Sequence, residues 1–224
     1  MNPWILIDSA VPADGGPPLR LYRRGAEFSI KVGRIELMSS RVHGSEEALA
    51  QLACARLADP ARAHVLVGGL GMGYTLAAAL RLLGPAAHVT VAERAPAVVA
   101  WNRGPLAELA GRPLADPRVA VHEGDVAEAL RPSERYDAIL LDVDNGPEAL
   151  SHADNQWLYG AAGLAAARAA LRPAGVLAVW SVSPDTGFTR RLRQAGFAVE
   201  ECPVRARGGR RGARHWIWLA TRPA

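Results

Sequence analysis

Apolar and polar positions change rhythm along this chain, and the changes mark its elements. From His64 onward, short apolar runs of four to eight residues alternate with longer stretches of mixed residues. The runs at 64–68, 88–93, 118–122, 136–142 and 175–182 read as buried strands. The stretches at 73–83, 95–109, 125–130, 153–171 and 185–195 have the apolar spacing of helices packed on one side. Alternation of this kind builds a parallel sheet with helices on both faces. The last two strands, "FAVEECPV" and "RHWIWLAT", have no helix between them, so they must form an antiparallel hairpin.

The region before His64 has a different rhythm. "LRLYRR", "EFSIKV" and "RIELMS" are short extended segments punctuated by Gly25 and Gly33, the pattern of a β-meander. Residues 1–18 are rich in Pro and Gly and are expected to be poorly ordered. "HGSEEALAQLACARLADP" then reads as a helix with Ser45 as N-cap, Glu46 and Glu47 in the first turn and Pro60 as the stop. The expected division is 1–42, tail and meander, and 43–224, the main α/β domain. Five strand–helix units closed by a hairpin are the pattern of a Rossmann-like class I methyltransferase fold. The expectation is a mostly parallel seven-stranded sheet ending in an antiparallel pair.

Composition narrows the class only a little. Half the residues are apolar and 21% are charged, which is ordinary for a globular chain. The first residues, "MNPWILIDSAVP", lack a basic segment and are interrupted by Asp8, so no leader is expected. The longest uncharged stretch, Val65 to Leu80, contains four glycines and is too short for a membrane span. Cys54 and Cys202 make neither a disulfide framework nor a metal cluster, so no metal is expected and a cytoplasmic location is the default. The net charge is +4, and Lys31 is the single lysine. "RARGGRRGAR", Arg205 to Arg214, is a basic cluster without interleaved aromatics. It reads either as a solvated loop or as a loop for an anionic ligand or partner, and gives no reason to expect nucleic acid.

The candidate chemistry lies in "HVLVGGLGMGYTLAAAL". Gly69, Gly71 and Gly73 follow a strand and open a helix, where bare backbone can approach a ligand closely. Tyr74 stands where a dinucleotide fingerprint needs its last glycine, and the Gly-Lys-Ser/Thr of a P-loop is absent. Glu93 ends the next strand, where a carboxylate accepts ribose hydroxyls, although a first-turn helix charge is the alternative. Asp125 follows the third strand, placed to accept the exocyclic amine of adenine or to cap a helix. These ends belong to consecutive strands, where open α/β sheets bind ligands. Together they point to adenosine without phosphates: S-adenosylmethionine or its decarboxylated form. Leu70, Arg94, Gly124 and Val126 flank these positions and complete the expected cofactor-binding set.

The fourth strand ends at Asp142. Asp142 and Asp144 read as catalytic carboxylates that orient an amine or hydroxyl of a small-molecule acceptor and take its proton; turn-forming aspartates are the alternative. Asp142 also borders the cofactor. Trp157 and Tyr159 read as a pocket wall or as core, and His43 as a surface or capping residue rather than a base.

From about Leu19 to Leu219 the chain resembles the spermidine synthase (aminopropyltransferase) family, a branch of the class I methyltransferase fold. The resemblance rests on the meander, the helix near Ser45, the glycine turn, Glu93, Gly124-Asp125 and "YDAILLDVDNGPEAL". It implies that Asp142 activates an attacking amine, that Glu93 holds the ribose, that Asp125 holds the adenine, and that the protein is a homodimer. The chain departs from the family at Met72, where the family has the Asp that holds the aminopropyl amine. Its "SEE" at 45–47 lacks the Tyr and His that follow the family's acidic pair. These departures favour methyl transfer over aminopropyl transfer to a polyamine, with a non-catalytic adenosine-binding protein as the third reading.

Overall fold

In the computed structural model, the described residues are 2–12, 15–131, 133–143, 147, 157–207 and 212–224. The N-terminal segment expected to lack order is a strand, β1 (Ile5–Ala10), paired antiparallel to β2 (Leu19–Arg24). With β3 (Glu27–Val32) and β4 (Ile35–Ser39) it makes a four-stranded antiparallel sheet in chain order. The Pro/Gly content misled because it falls in the connection, residues 11–18, not in "ILIDSA", whose β-branched residues favour extension. Asp8 anchors the strand by accepting a 2.7 Å hydrogen bond from Trp101 Nε1.

The main sheet has the order β10-β11-β9-β8-β5-β6-β7. Its strands are β5 (His64–Gly68), β6 (His88–Glu93), β7 (Val119–Glu123), β8 (Tyr136–Leu141), β9 (Leu171–Ser181), β10 (Ala198–Arg205) and β11 (Arg214–Thr221). β5 to β9 are mutually parallel, and β11 runs antiparallel between β9 and β10. The sheet is therefore mixed α/β with an antiparallel ending, as the alternation and the final hairpin predict.

The period-two pattern of the strands separates two cores. Val65, Val67, Ala138, Leu140, Val176, Ala178, Ile217 and Leu219 face one side. They are covered by α1 (Gly44–Cys54), α2 (Tyr74–Leu82) and α3 (Pro96–Arg103), with Leu21 and Ile30 of the meander joining the same cluster. Leu66, Ile139, Leu141, Leu177, Val179, Trp218 and Ala220 face the other side. That face carries α4 (Val126–Ala129), α5 (Ala161–Ala170) and α6 (Thr186–Gln194). Alternating side chains thus make two buried faces of one sheet.

Three elements differ in extent from expectation. The helix expected over 95–109 ends at Arg103, because Pro105 has no N–H to donate and Gly104 turns the chain out. β9 starts at Leu171 rather than 175 and passes an irregularity at Ala174, which has a φ of 62°. The helix expected over 153–171 is described only from Trp157, with α5 beginning at Ala161; the rest lies outside the described residues. No helix among the described residues is long and apolar enough to cross a membrane.

Candidate functional site

Chain order reverses about β5. The chain builds β6 and β7 on one side of it and β8 and β9 on the other. The connections leaving β5 and β8 therefore diverge at the carboxyl edge and leave a crevice, the usual binding position in such sheets. The first residues past the two strands meet: a Cβ at Gly69 would drive into the carbonyl of Asp142, and Asp142 N–H donates to Gly68 O at 2.8 Å.

The glycine turn has the backbone only glycine adopts easily. Gly69, Gly71 and Gly73 have φ of 87°, 53° and 83°. A Cβ at Gly71 would meet only the Met38 thioether within 4 Å, so this is the point where bare backbone borders open space. The turn is braced from two sides. Glu93 accepts from Leu70 N–H and Ala95 N–H, each at 2.9 Å. Buried Asn102 donates to Gly71 O at 2.8 Å and to Val98 O at 2.9 Å. Burial pushes the Glu93 carboxyl up, and backbone N–H groups of Ala95, Leu70, Gly71 and Arg94 pull it back. The expected ribose ligand is thus also the clamp of the turn. A carboxylate has about four acceptor positions, so a ribose hydroxyl at Glu93 would share its oxygens with these backbone N–H groups.

Asp125 caps α4, its Oδ1 accepting from Ala127 N–H at 2.8 Å. Gly124 N–H donates to Glu93 O, which ties the third strand end to the second. Leu70 and Val126 are buried, Val126 lying beneath Gly68, and Arg94 projects an exposed side chain. Met72, in the place of the family's acid, is 3% exposed and belongs to the core.

Asp142 ends β8. Its Oδ2 accepts a 2.5 Å hydrogen bond from Thr75 Oγ1, a buried hydroxyl on α2. Thr75 Oγ1 also lies 3.4 Å from Glu46 O, on α1. α1, α2 and the end of β8 thus converge on two carboxyls, Asp142 and Glu46. Burial pushes Asp142 up to about 6, moderated by the Thr75 hydroxyl. Glu46 is raised well above the carboxylate range by burial, then by the charges of Asp142 and Glu47. Among the described residues, no hydrogen-bond donor or cation stands against the Glu46 carboxyl. Both carboxyls are thus disfavoured as anions, Asp142 by burial and Glu46 by burial and by the charge of Asp142. Asp144 lies outside the described residues.

Ser45 is not the N-cap. His43 holds that position, and Ser45 Oγ, buried within α1, hydrogen-bonds His215 Nδ1 of β11 at 2.8 Å. His43 makes no side-chain cap. Its ring stacks on Tyr74 at 4.1 Å, and its Nδ1 lies 3.5 Å from Glu47 Oε1 without hydrogen-bond geometry. Tyr159 is core: its ring packs edge-on against Phe188 and its hydroxyl donates to Val143 O at 3.2 Å. Trp157 is 41% exposed.

Sequence reasoning passed over Glu46, Thr75 and Asn102 as site residues. For the last two a signal existed: single polar residues inside the apolar helical runs "YTLAAAL" and "PAVVAWNR". Glu46 looked like an ordinary first-turn charge.

Comparison with known proteins bears on this arrangement. Spermidine synthase from Thermotoga maritima superposes with a TM-score of 0.77 at 19% identity, over 96% of this chain and 72% of that one. The chain has the spermidine synthase fold. A spermidine synthase in complex with the transition-state analogue AdoDATO gives 0.76 at 18% identity, again over 96% of this chain and 72% of that one. The precorrin-6y C5,15-methyltransferase of Geobacter metallireducens gives 0.55 at 17% identity, over 77% of this chain and 88% of that one. No protein-family model matches the sequence, and no curated protein does. On this fold the chain carries the four-stranded meander, the glycine turn, Glu93, Asp125 and Asp142 near three strand ends, and Met72 buried in the core.

Proposed function

We propose that this chain is a spermidine synthase-like transferase that uses S-adenosylmethionine, and that it transfers the methyl group to a small-molecule acceptor. The observation that carries the reading is the set of carboxylates at the ends of β6, β7 and β8 around an open glycine turn: Glu93, Asp125 and Asp142. The residues fit an adenosine ligand. Gly69, Leu70, Gly71 and Gly73 would lie against it, Glu93 and Arg94 would border the ribose, and Gly124, Asp125 and Val126 the adenine. When bound, the sulfonium supplies an electrophilic carbon. Asp142 orients the acceptor's amine or hydroxyl and takes its proton, a task suited to a carboxyl raised to about 6. Thr75 holds Asp142 in place, and Asp144 is the second candidate for the proton.

Aminopropyl transfer from decarboxylated S-adenosylmethionine is the second reading, favoured by the fold match and by the presence of two carboxyls, Glu46 and Asp142. Buried Met72 weighs against it, since an aminopropyl ammonium needs a carboxylate partner there. Calorimetric titration with S-adenosylmethionine, its decarboxylated form and 5′-methylthioadenosine tests the choice. The methyltransferase reading expects S-adenosylmethionine to bind at least as tightly as the decarboxylated form. A tenfold preference for the decarboxylated form would reverse the order of the two readings. Binding of none of the three would remove both.

A further inference from the structure

Arg205, Arg207 and Arg214, the described members of the arginine cluster singled out in the sequence, flank the end of the β10–β11 pair. β10 runs parallel to β9, because each is antiparallel to the strand between them. The turn from β10 to β11 therefore opens at the same sheet edge as the glycine turn and Asp142. Its root touches the acceptor side directly. Ala206 O accepts from Gly44 N–H at 2.9 Å, and His215 Nδ1 lies 2.8 Å from Ser45 Oγ. Glu46 is the next residue along α1, and Thr75 links its carbonyl to the Asp142 carboxylate.

The charges at this edge are opposite in kind and differ in how they are compensated. Many arginines elsewhere pair with carboxylates, as in Arg24–Glu27, Arg103–Glu123, Arg118–Asp116, Arg172–Asp137 and Arg191–Asp185, while scattered ones such as Arg34, Arg62 and Arg190 have no such partner among the described residues. Arg205 instead donates to Gly212 O at 3.2 Å, and Arg214 lies over the Trp216 ring at 6.0 Å. Arg207 and Arg214 are exposed. No carboxylate among the described residues pairs with any of the three. Glu46 and Asp142 lie on the α1 and β8 side of the crevice, joined through Thr75, and no cation among the described residues pairs with either. Two carboxyls on that side, without a cation among the described residues, offer a place for a single ammonium. A polyamine brings at least two positive charges, and its second would lie toward the arginines, where like charges repel.

We infer that the acceptor is a monoamine that also carries an anionic group, carboxylate or phosphate, with its amine held at Asp142 and Glu46 and its anion at the Arg205–Arg207–Arg214 hairpin. This deepens the transferase reading and rests on it. Arginine suits the outer task, since its planar fork matches either anion in two parallel hydrogen bonds.

The test is calorimetric, on the full chain, with and without saturating S-adenosylhomocysteine, which cannot transfer a group. Phosphoethanolamine, β-alanine and putrescine are the probes, and the first two separate phosphate from carboxylate. The expected result is that one anionic amine binds at least tenfold more tightly than putrescine. R207S/R214S should abolish that preference, R207K/R214K should restore most of it, and both variants should keep wild-type affinity for S-adenosylhomocysteine. Putrescine binding more tightly than both anionic amines would overturn the proposal. So would failure of both to bind, or an unchanged preference in R207S/R214S. Because both arginines are exposed, loss of fold is not expected, and S-adenosylhomocysteine affinity reports it in the same cell. If S-adenosylhomocysteine itself fails to bind while an anionic amine binds through the arginines, the transferase reading fails and the hairpin's anion preference stands.

Discussion

The two halves of the crevice treat their carboxylates in opposite ways. On the side of β6 and β7, Glu93 and Asp125 are already engaged by backbone N–H groups, Glu93 by Leu70 and Ala95 and Asp125 by Ala127. On the side of α1 and β8, Asp142 has one hydroxyl partner, and no donor or cation stands against Glu46 among the described residues. The first pair would bind a ligand and also hold the scaffold together. The second pair strains the scaffold, since burial without compensation disfavours its charge. That uncompensated cost is what makes the second pair the candidate for chemistry in the proposed reaction. The contrast fixes which substitutions should destabilise the protein and which should stabilise it.

The largest expected effect is at Asp142. Asp142→Asn keeps the shape and the Thr75 contact but loses basicity. Turnover should fall by about 100-fold while affinity for S-adenosylmethionine stays within a few-fold. The folded protein should nevertheless gain stability near pH 7. A carboxyl raised from 3.8 to about 6 costs the folded state when ionised, so wild-type stability declines as pH rises through that interval and levels off above it. Denaturation near pH 3.5 should show little difference between variant and wild type. Near pH 7.5 the variant should be more stable by about 1–3 kcal/mol. Equal stability at both pH values would erase the asymmetry between the two halves.

Glu93→Ala should do the reverse of Asp142→Asn. It removes the acceptor for Leu70 and Ala95 N–H, so it should destabilise the fold by about 1–3 kcal/mol and weaken the nucleoside ligand by a similar amount. Stability and binding should fall together, in contrast to their separation at Asp142. If affinity alone fell, Glu93 would be a ligand contact without a bracing role.

How much of this was legible in the sequence follows the same division. The strands of the main sheet, the final hairpin, the glycine turn and the place of Glu93 at the end of β6 are readable, because each depends on local period or on residues adjacent in sequence. Met72 was readable as a departure, but its burial in the core was not. β1 is hidden in the sequence because the Pro and Gly of residues 11–18 dominate the composition of the segment around it. The α1 and β8 side of the crevice is the less legible half. Glu46, Thr75 and Asp142 come from three distant segments, and only the packing of α1 and α2 against β8 brings them together. Ser45 reads as a cap by residue type, yet a strand 170 positions away supplies its partner, His215.

Glu46→Gln extends the comparison with a smaller effect than Asp142→Asn. Asp142 pushes the Glu46 carboxyl up, whereas the rise at Asp142 itself comes from burial. Gln stands in for protonated Glu46, so the acidic limb of a pH–rate profile should stay within about half a unit of wild type, while stability at neutral pH should rise. A limb that moved down by about one unit or more would mean that Glu46 is ionised when Asp142 titrates.

The smallest expected effect is at Asp125, where capping and ligand binding can be told apart. Asn caps a helix about as well as Asp, so Asp125→Asn should change stability by no more than a few tenths of a kcal/mol. Asp125→Ala leaves Ala127 N–H without its acceptor and should cost about 1 kcal/mol. Nucleoside affinity supplies the other axis. If Asp125 holds the exocyclic amine of adenine, Asn also retains an acceptor oxygen and should lose only a few-fold in affinity. Ala should lose about tenfold, since a hydrogen bond to a charged group contributes about 1.5–3 kcal/mol and water recovers part of it. Thermal denaturation and titration with 5′-methylthioadenosine on the same two variants separate the roles. A variant pair that differs in stability but binds the nucleoside equally would make Asp125 a cap alone, and the adenine side of the crevice would then depend on Gly124, Val126 and the backbone around them.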